Sequence, residues 1–146
     1  MTDSNIRAER EIPSIEDFPF RASDSIRLGD LDPQNHVNNA VYATYFETGR
    51  VYLIRDLFQS DTHSARNIVV VRLEIDYLRE LHWPGPVDIG TRVARIGNTS
   101  LTLDQAIFRQ GVCAARGRSI IVQLDAQTRR PSPIPPEIVA RLKATG

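Results

Sequence analysis

Apolar residues recur at three- and four-residue spacing from Tyr42 through Tyr45, Phe46, Gly49, Tyr52 and Leu53 to Leu57, and Val41 and Ile54 widen the stripe. This period predicts one long helix, from Ala40 to Phe58, enclosed over much of its circumference. Elsewhere the period changes to two. Val69, Val71, Leu73, Ile75 and Tyr77 alternate with Val70, Arg72, Glu74 and Asp76, the pattern of a half-buried strand. Further strands are predicted from Val87 to Ile96, Leu101 to Arg109 and Val112 to Leu124. They are separated by the turn residues Gly97-Asn98 and Gln110-Gly111, and the first follows the breaker Trp83-Pro84-Gly85-Pro86. Ala22 to Leu28 has strand length. A short amphipathic helix, Glu137 to Lys143, follows the Pro-rich stretch 131–136.

The order is strand, long helix, then four strands whose short connections favour antiparallel pairing. Such a sheet has one apolar face to cover, and only the 40–58 helix is long and apolar enough to cover it. An α+β fold with the sheet curled around a central helix is the expectation. The length, 146 residues, suits a single domain. Residues 1–18 read as a flexible N-terminal segment and 19–146 as the domain.

Eighteen Lys and Arg balance eighteen Asp and Glu, and the basic residues are scattered. No electrostatic footprint for nucleic acid or an anionic membrane results. No signal-peptide core and no run of bilayer-spanning length are present, so a soluble, cytoplasmic protein is expected. The one cysteine, Cys113, lies in Val112-Cys113-Ala114-Ala115 and reads as a small buried side chain.

Chemistry concentrates where the first strand hands over to the long helix, in Leu28-Gly29-Asp30-Leu31-Asp32-Pro33-Gln34-Asn35-His36-Val37-Asn38-Asn39. Two carboxylates, a histidine and two asparagines immediately precede a helix start, where backbone N–H groups lack intrahelical partners and can hold a developing oxyanion. Asp32 alone would read as a turn or capping aspartate, Asp30 as a turn former accepting backbone N–H groups, and Asn38 and Asn39 as caps.

The elements Asp30-Leu31-Asp32, His36-Val37-Asn38-Asn39-Ala40-Val41-Tyr42 and Tyr45-Phe46-Glu47 resemble the hotdog-fold acyl-CoA thioesterases of the 4-hydroxybenzoyl-CoA thioesterase type. Leu31-Asp32 and His36-Val37-Asn38-Asn39 are also similar to the long-chain acyl-CoA and acyl-ACP thioesterases of that superfamily. Glu74 to Arg79, Val93 to Gly97 and Ala114 to Gly117 extend the resemblance to roughly residues 20 to 130. It implies a hotdog domain, with an antiparallel sheet of five or six strands wrapped around the helix, that hydrolyses an acyl-CoA or acyl-ACP thioester. Asp32 takes the position of the essential acid, as general base or nucleophile, and the N–H at or near Asn39 that of the group polarising the thioester carbonyl. His36 either binds water or the thioester oxygen, or orients the loop. Gln34 departs from the acyl-ACP branch, which carries an asparagine there. Glu47 is the reserve acid, since some hotdog thioesterases use a helix glutamate; otherwise it pairs with Arg50. A homodimer or a dimer of dimers is also implied.

Other chemistries find no support. His63 and His82 stand apart in sequence without a second ligand at helical or turn spacing, so no metal is expected. No Gly-x-Ser-x-Gly elbow, phosphate loop or dinucleotide fingerprint occurs, which leaves hydrolysis without a cofactor. The alternatives are a non-catalytic acyl-CoA-binding or regulatory module and, further off, a hotdog hydratase or dehydratase. The last needs an acid five residues beyond the histidine, where this chain has Val41.

Overall fold

A computed structural model describes residues 12–59 and 61–145. Five strands form one antiparallel sheet: β1 (Phe20–Ile26), β2 (Ile68–Tyr77), β3 (Gly85–Ile96), β4 (Ser100–Arg109) and β5 (Val112–Gln123), in the order β1-β3-β4-β5-β2. Helix α1 (Val41–Phe58) packs against β1, β3 and β4 on one face. A single-turn helix α2 (Thr62–Ala65) and the C-terminal helix α3 (Pro136–Thr145) complete the elements. The expected sheet around a helix is therefore present, with five strands.

Helix α1 buries Tyr42, Tyr45, Phe46, Gly49, Arg50, Leu53, Leu57 and Phe58, the three-and-four pattern of its sequence. One end of this stripe packs with Ile26, Val37, Leu81, Val87, Ile89 and Ile107. The other end packs with Leu101, Leu103, Ile121 and, from the C-terminal segment, Ile134, Ile138 and Leu142. Each such side chain taken fully from water contributes about 1.5–3 kcal/mol before entropic costs. The helix ends at Gln59, whose positive φ of 50° lets its N–H close back on the Arg55 carbonyl.

The helix approaches the sheet closely at Gly49. There the Gln105 side-chain amide donates to the Phe46 carbonyl at 3.0 Å and to the Thr91 hydroxyl at 2.9 Å. A Cβ on Gly49 would lie 2.5 Å from Ile89 Cγ2 and 2.7 Å from Gln105 Nε2. Gly49→Ala is accordingly expected to destabilise the fold by about 1–3 kcal/mol, because overpacking outweighs the better helix propensity of alanine. Urea unfolding should show a lower midpoint at an unchanged slope.

Several elements differ from the sequence reading. The first strand starts at Phe20 and ends at Ile26, and the chain then makes a 3-10 turn over Leu28–Asp30 instead of running extended into the carboxylates. In β2 the alternation breaks at a bulge, since Val70 pairs with Ile121 and Arg72 with the adjacent Ile120. The extra residue, Val71, is 59% exposed and drops out of the buried face, whereas Tyr77 stays on the face of Leu73 and Ile75, opposite Ala115 on β5 and with its ring against Tyr42. The polar segment after α1 contains α2, capped by Asp61 accepting the Ser64 N–H. Of the expected flexible segment, residues 1–11 lie outside the described residues. Beyond them Ile15–Asp17 forms a 3-10 turn, and Phe18 is buried over Gly90 and against Phe108 on the second face of the sheet. Cys113 is buried beside them, as expected, and burial raises its thiol pKa. No helix among the described residues is long and apolar enough to cross a membrane.

Candidate active site

The segment between β1 and α1 is shaped by its two aspartates. Asp30 Oδ2 accepts the Arg27 N–H at 2.9 Å and the Tyr45 hydroxyl at 2.7 Å, and its carbonyl accepts the Asn38 N–H. Asp30 is thus a structural tie between the loop and the buried face of α1. Burial, reinforced by the hydrogen bond to Asp30, pushes the Tyr45 hydroxyl well above the ordinary tyrosine pKa, so it stays a donor. Asp32 folds the next turn. Its Oδ1 accepts the N–H groups of Gln34 at 2.9 Å and His36 at 3.2 Å, its own N–H donates to the His36 carbonyl, and Asn35 sits at φ 63°. Asp32 Oδ2 makes no hydrogen bond among the described residues.

Of the two asparagines expected to cap α1, only Asn38 does so with its side chain. Asn38 Oδ1 accepts the Ala40 N–H at 2.9 Å, and the Asn38 carbonyl accepts the Val41 N–H at 2.8 Å. Ala40 is the N-cap position and gives no side-chain cap. Asn39 therefore caps nothing with its side chain. Its carbonyl accepts from the Tyr77 hydroxyl at 2.8 Å, while its N–H has no partner among the described residues. This N–H is an unpaired donor one residue before the N-cap, next to the positive end of the helix dipole.

Asp32 and Asn39 line one cleft of about 360 Å³ with His36, Tyr42, Tyr77, Arg79 and Glu80. Its opposite wall is the connection from β2 to β3, held to the first loop by the Val37 N–H donating to the Leu81 carbonyl at 2.8 Å. The Tyr42 hydroxyl donates to the Arg79 carbonyl at 3.0 Å, and burial raises the Tyr42 pKa. Val37 and Leu81 are both buried, which turns their neighbours outward. His36 Nε2 then stands 3.2 Å from Glu80 Oε2, and His82 Nε2 lies 3.6 Å from the same oxygen.

The structure thus brings Asp32, His36 and Asn39 together, and it leaves Glu47 out. Glu47 lies on the exposed side of α1 and makes no hydrogen bond or ion pair among the described residues. The Glu47–Arg50 pair does not form within ion-pair distance, because Arg50 is turned inward and buried, which lowers its pKa. Sequence reasoning missed Tyr77, Arg79, Glu80 and His82. His82 does not stand apart: the fold sets it beside His36, with perpendicular rings 5.1 Å apart. A larger cleft, about 490 Å³, opens on the second face of the sheet among Glu74, Asp76, Arg92, Asp104, Arg116 and Arg118. Its acids are ion-paired, with Arg118 Nε 2.7 Å from Asp104 Oδ1 and Arg116 3.5 Å from Asp76, so none is poised as a base.

The thioesterase-like superfamily model matches residues 26–142. Among solved structures, a thioesterase from Thermus thermophilus, complexed with coenzyme A and Zn, is 35% identical. The match covers 88% of this chain and 94% of that one, with a TM-score of 0.79. A predicted thioesterase from Bacillus stearothermophilus is also 35% identical over 86% of this chain and 95% of that one, again at 0.79. The uncharacterized protein YsmA of Bacillus subtilis is 29% identical over 86 residues, a stretch that spans 59% of this chain and 58% of that protein. With the sheet wrapped on α1 and the superfamily model covering the chain from the end of β1 into α3, the chain belongs to the thioesterase-like superfamily, as a hotdog-fold thioester hydrolase.

Proposed function

We propose that this thioester hydrolase cleaves acyl-CoA to free acid and coenzyme A, with Asp32 as the acid and the Asn39 N–H as oxyanion donor. One observation carries the reading: Asp32 and Asn39 line the same cleft, and among the described residues Asp32 Oδ2 and the Asn39 N–H have no partner. Asp32 takes a proton from water as the water oxygen attacks the thioester carbon. The carbonyl electron pair moves onto oxygen, which the Asn39 N–H stabilises. Collapse of the tetrahedral state breaks the C–S bond, and the proton held by Asp32 passes to the departing sulfur. Direct attack by Asp32, with water opening the resulting anhydride, uses the same two groups. His36 walls the cleft beside Glu80, a placement that favours its orienting role.

Coenzyme A as the carrier is supported by the Thermus relative, which holds it, and by Arg79 on the rim of this cleft. The Arg79 side chain makes no ion pair among the described residues and suits a phosphate. A homodimer formed through β2 is part of the reading. That ten-residue strand pairs only with β5 among the described strands, and its outer edge, with Val70 and Val71 exposed, is open to a second copy.

The test is thiol release from aromatic, short, branched and long acyl-CoAs by protein sedimenting as a dimer. Turnover of at least one class is the expected result, and binding without turnover of any would overturn the reading in favour of a binding module.

A further inference from the structure

We infer that His36, Glu80 and His82 form a binding site for one divalent transition-metal ion of the zinc type. Each of His36, Glu80 and His82 offers one ligand atom that lies within 4.8 Å of those of the other two. The Nε2–Oε2 separations, 3.2 Å for His36 and 3.6 Å for His82, bracket the spacing of about 3.3 Å between adjacent ligands that metal–ligand bonds of about 2.0–2.1 Å require in a tetrahedron. Two imidazoles and one carboxylate suit zinc and its neighbours better than magnesium or calcium, which take oxygen ligands.

The site is built by the fold and not by a chance encounter of surface side chains. Leu81, 1% exposed, anchors one loop, and Val37, 2% exposed, anchors the other. The bond from the Val37 N–H to the Leu81 carbonyl fixes the two loops in register. Glu80 and His82 flank the first anchor and His36 adjoins the second, so the three ligand atoms converge on the outward side of a shared backbone junction. All three side chains retain solvent access, at 30%, 62% and 59% for His36, Glu80 and His82, which leaves a route for the ion and a fourth position for water. A bound ion would clasp the β2–β3 connection to the loop that carries Asp32.

The experiment titrates metal-stripped protein with zinc chloride, followed by calorimetry and by thermal unfolding. Expected are saturation at one ion per chain, a higher unfolding midpoint with zinc than with chelator, and the visible absorption of four-coordinate cobalt when Co²⁺ replaces zinc. His82→Ala and Glu80→Gln should each weaken binding by about tenfold or more. Both positions are exposed, so their midpoints in chelator should stay near that of the unsubstituted chain. His63→Ala, at an exposed histidine on α2, should bind as the parent does. Absence of saturable binding, as expected of two histidines merely sharing a carboxylate, or binding that survives both substitutions, would overturn the site. Because the readout is metal binding, the outcome is independent of whether Asp32 is the catalytic acid.

Discussion

Asp32→Asn is expected to lower kcat for acyl-CoA hydrolysis by about 10²–10⁴-fold, the range for loss of a positioned general base, and to leave the fold intact. At about 1.4 kcal/mol per factor of ten, the barrier rises by roughly 3–6 kcal/mol. The substitution is clean because of how Asp32 is used. Its Oδ1 accepts the Gln34 and His36 N–H groups, and an asparagine Oδ1 does the same, so the turn persists. Only the second oxygen changes, from a carboxylate that can take a proton or attack carbon to an amide that can do neither. Asp32→Ala would mix loss of chemistry with loss of the turn. Stopped assays of thiol release, with the thermal midpoint as control, separate the two. An unchanged rate in Asp32→Asn would remove Asp32 from the mechanism, and loss of activity in Glu47→Gln instead would transfer the role to the helix carboxylate.

The second large effect is expected from Asn39→Pro, which deletes the backbone N–H itself. Removing one oxyanion donor costs about 10²–10³-fold in kcat, and here the local geometry accepts the ring. The Val41 N–H donates to the Asn38 carbonyl at 2.8 Å, which makes Asn39 the second residue of a four-residue turn, where proline is favoured. Ala40, the third, has φ −65° and ψ −27°, compatible with that turn. The Asn39 carbonyl still accepts from Tyr77. Asn39→Ala is the matched control: it keeps the N–H and should retain nearly full activity, since the asparagine side chain caps nothing. Equal losses in both variants would show that the side chain, and not the N–H, is what the reaction uses. Because the donor acts on the developing oxyanion, kcat should fall much more than KM changes.

Local signals wrote most of this fold into the sequence. The hairpin from β4 to β5 was legible because Gln110 and Gly111 sit between two alternating runs, and both adopt positive φ, 50° and 79°. Helix α1 was legible from its stripe. What escaped depends on contacts distant in sequence or on single-residue irregularities. The bulge at Val71 leaves a sequence that still alternates on paper, since only pairing with β5 reveals the extra residue. That Asp32, His36 and Asn39 would lie together could be read because one twelve-residue stretch carries them all. Glu80 and His82 could not, because nothing near them in sequence points to His36. Their meeting depends on Leu81 entering the core and on one backbone bond to Val37. The pairing expected of Glu47 with Arg50 failed for a related reason. Helical spacing makes two side chains neighbours, but packing turned Arg50 inward and left Glu47 in solvent.

The junction of the two loops also divides labour along the chain. The proposed acid and oxyanion donor, Asp32 and the Asn39 N–H, belong to one continuous stretch, whose shape is set by its own turns and by the tie from Asp30 to Tyr45. The facing wall, from Tyr77 to Glu80, comes from a separate stretch that meets it through the main-chain carbonyls of Arg79 and Leu81 and through the side chains of Tyr77 and Glu80, which reach Asn39 and His36. Main-chain contacts are indifferent to side-chain identity. Arg79, held through its carbonyl, can therefore be exchanged without disturbing the proposed reacting groups, which makes recognition at this rim a trait that can be inherited, diversified or redesigned separately from the reaction.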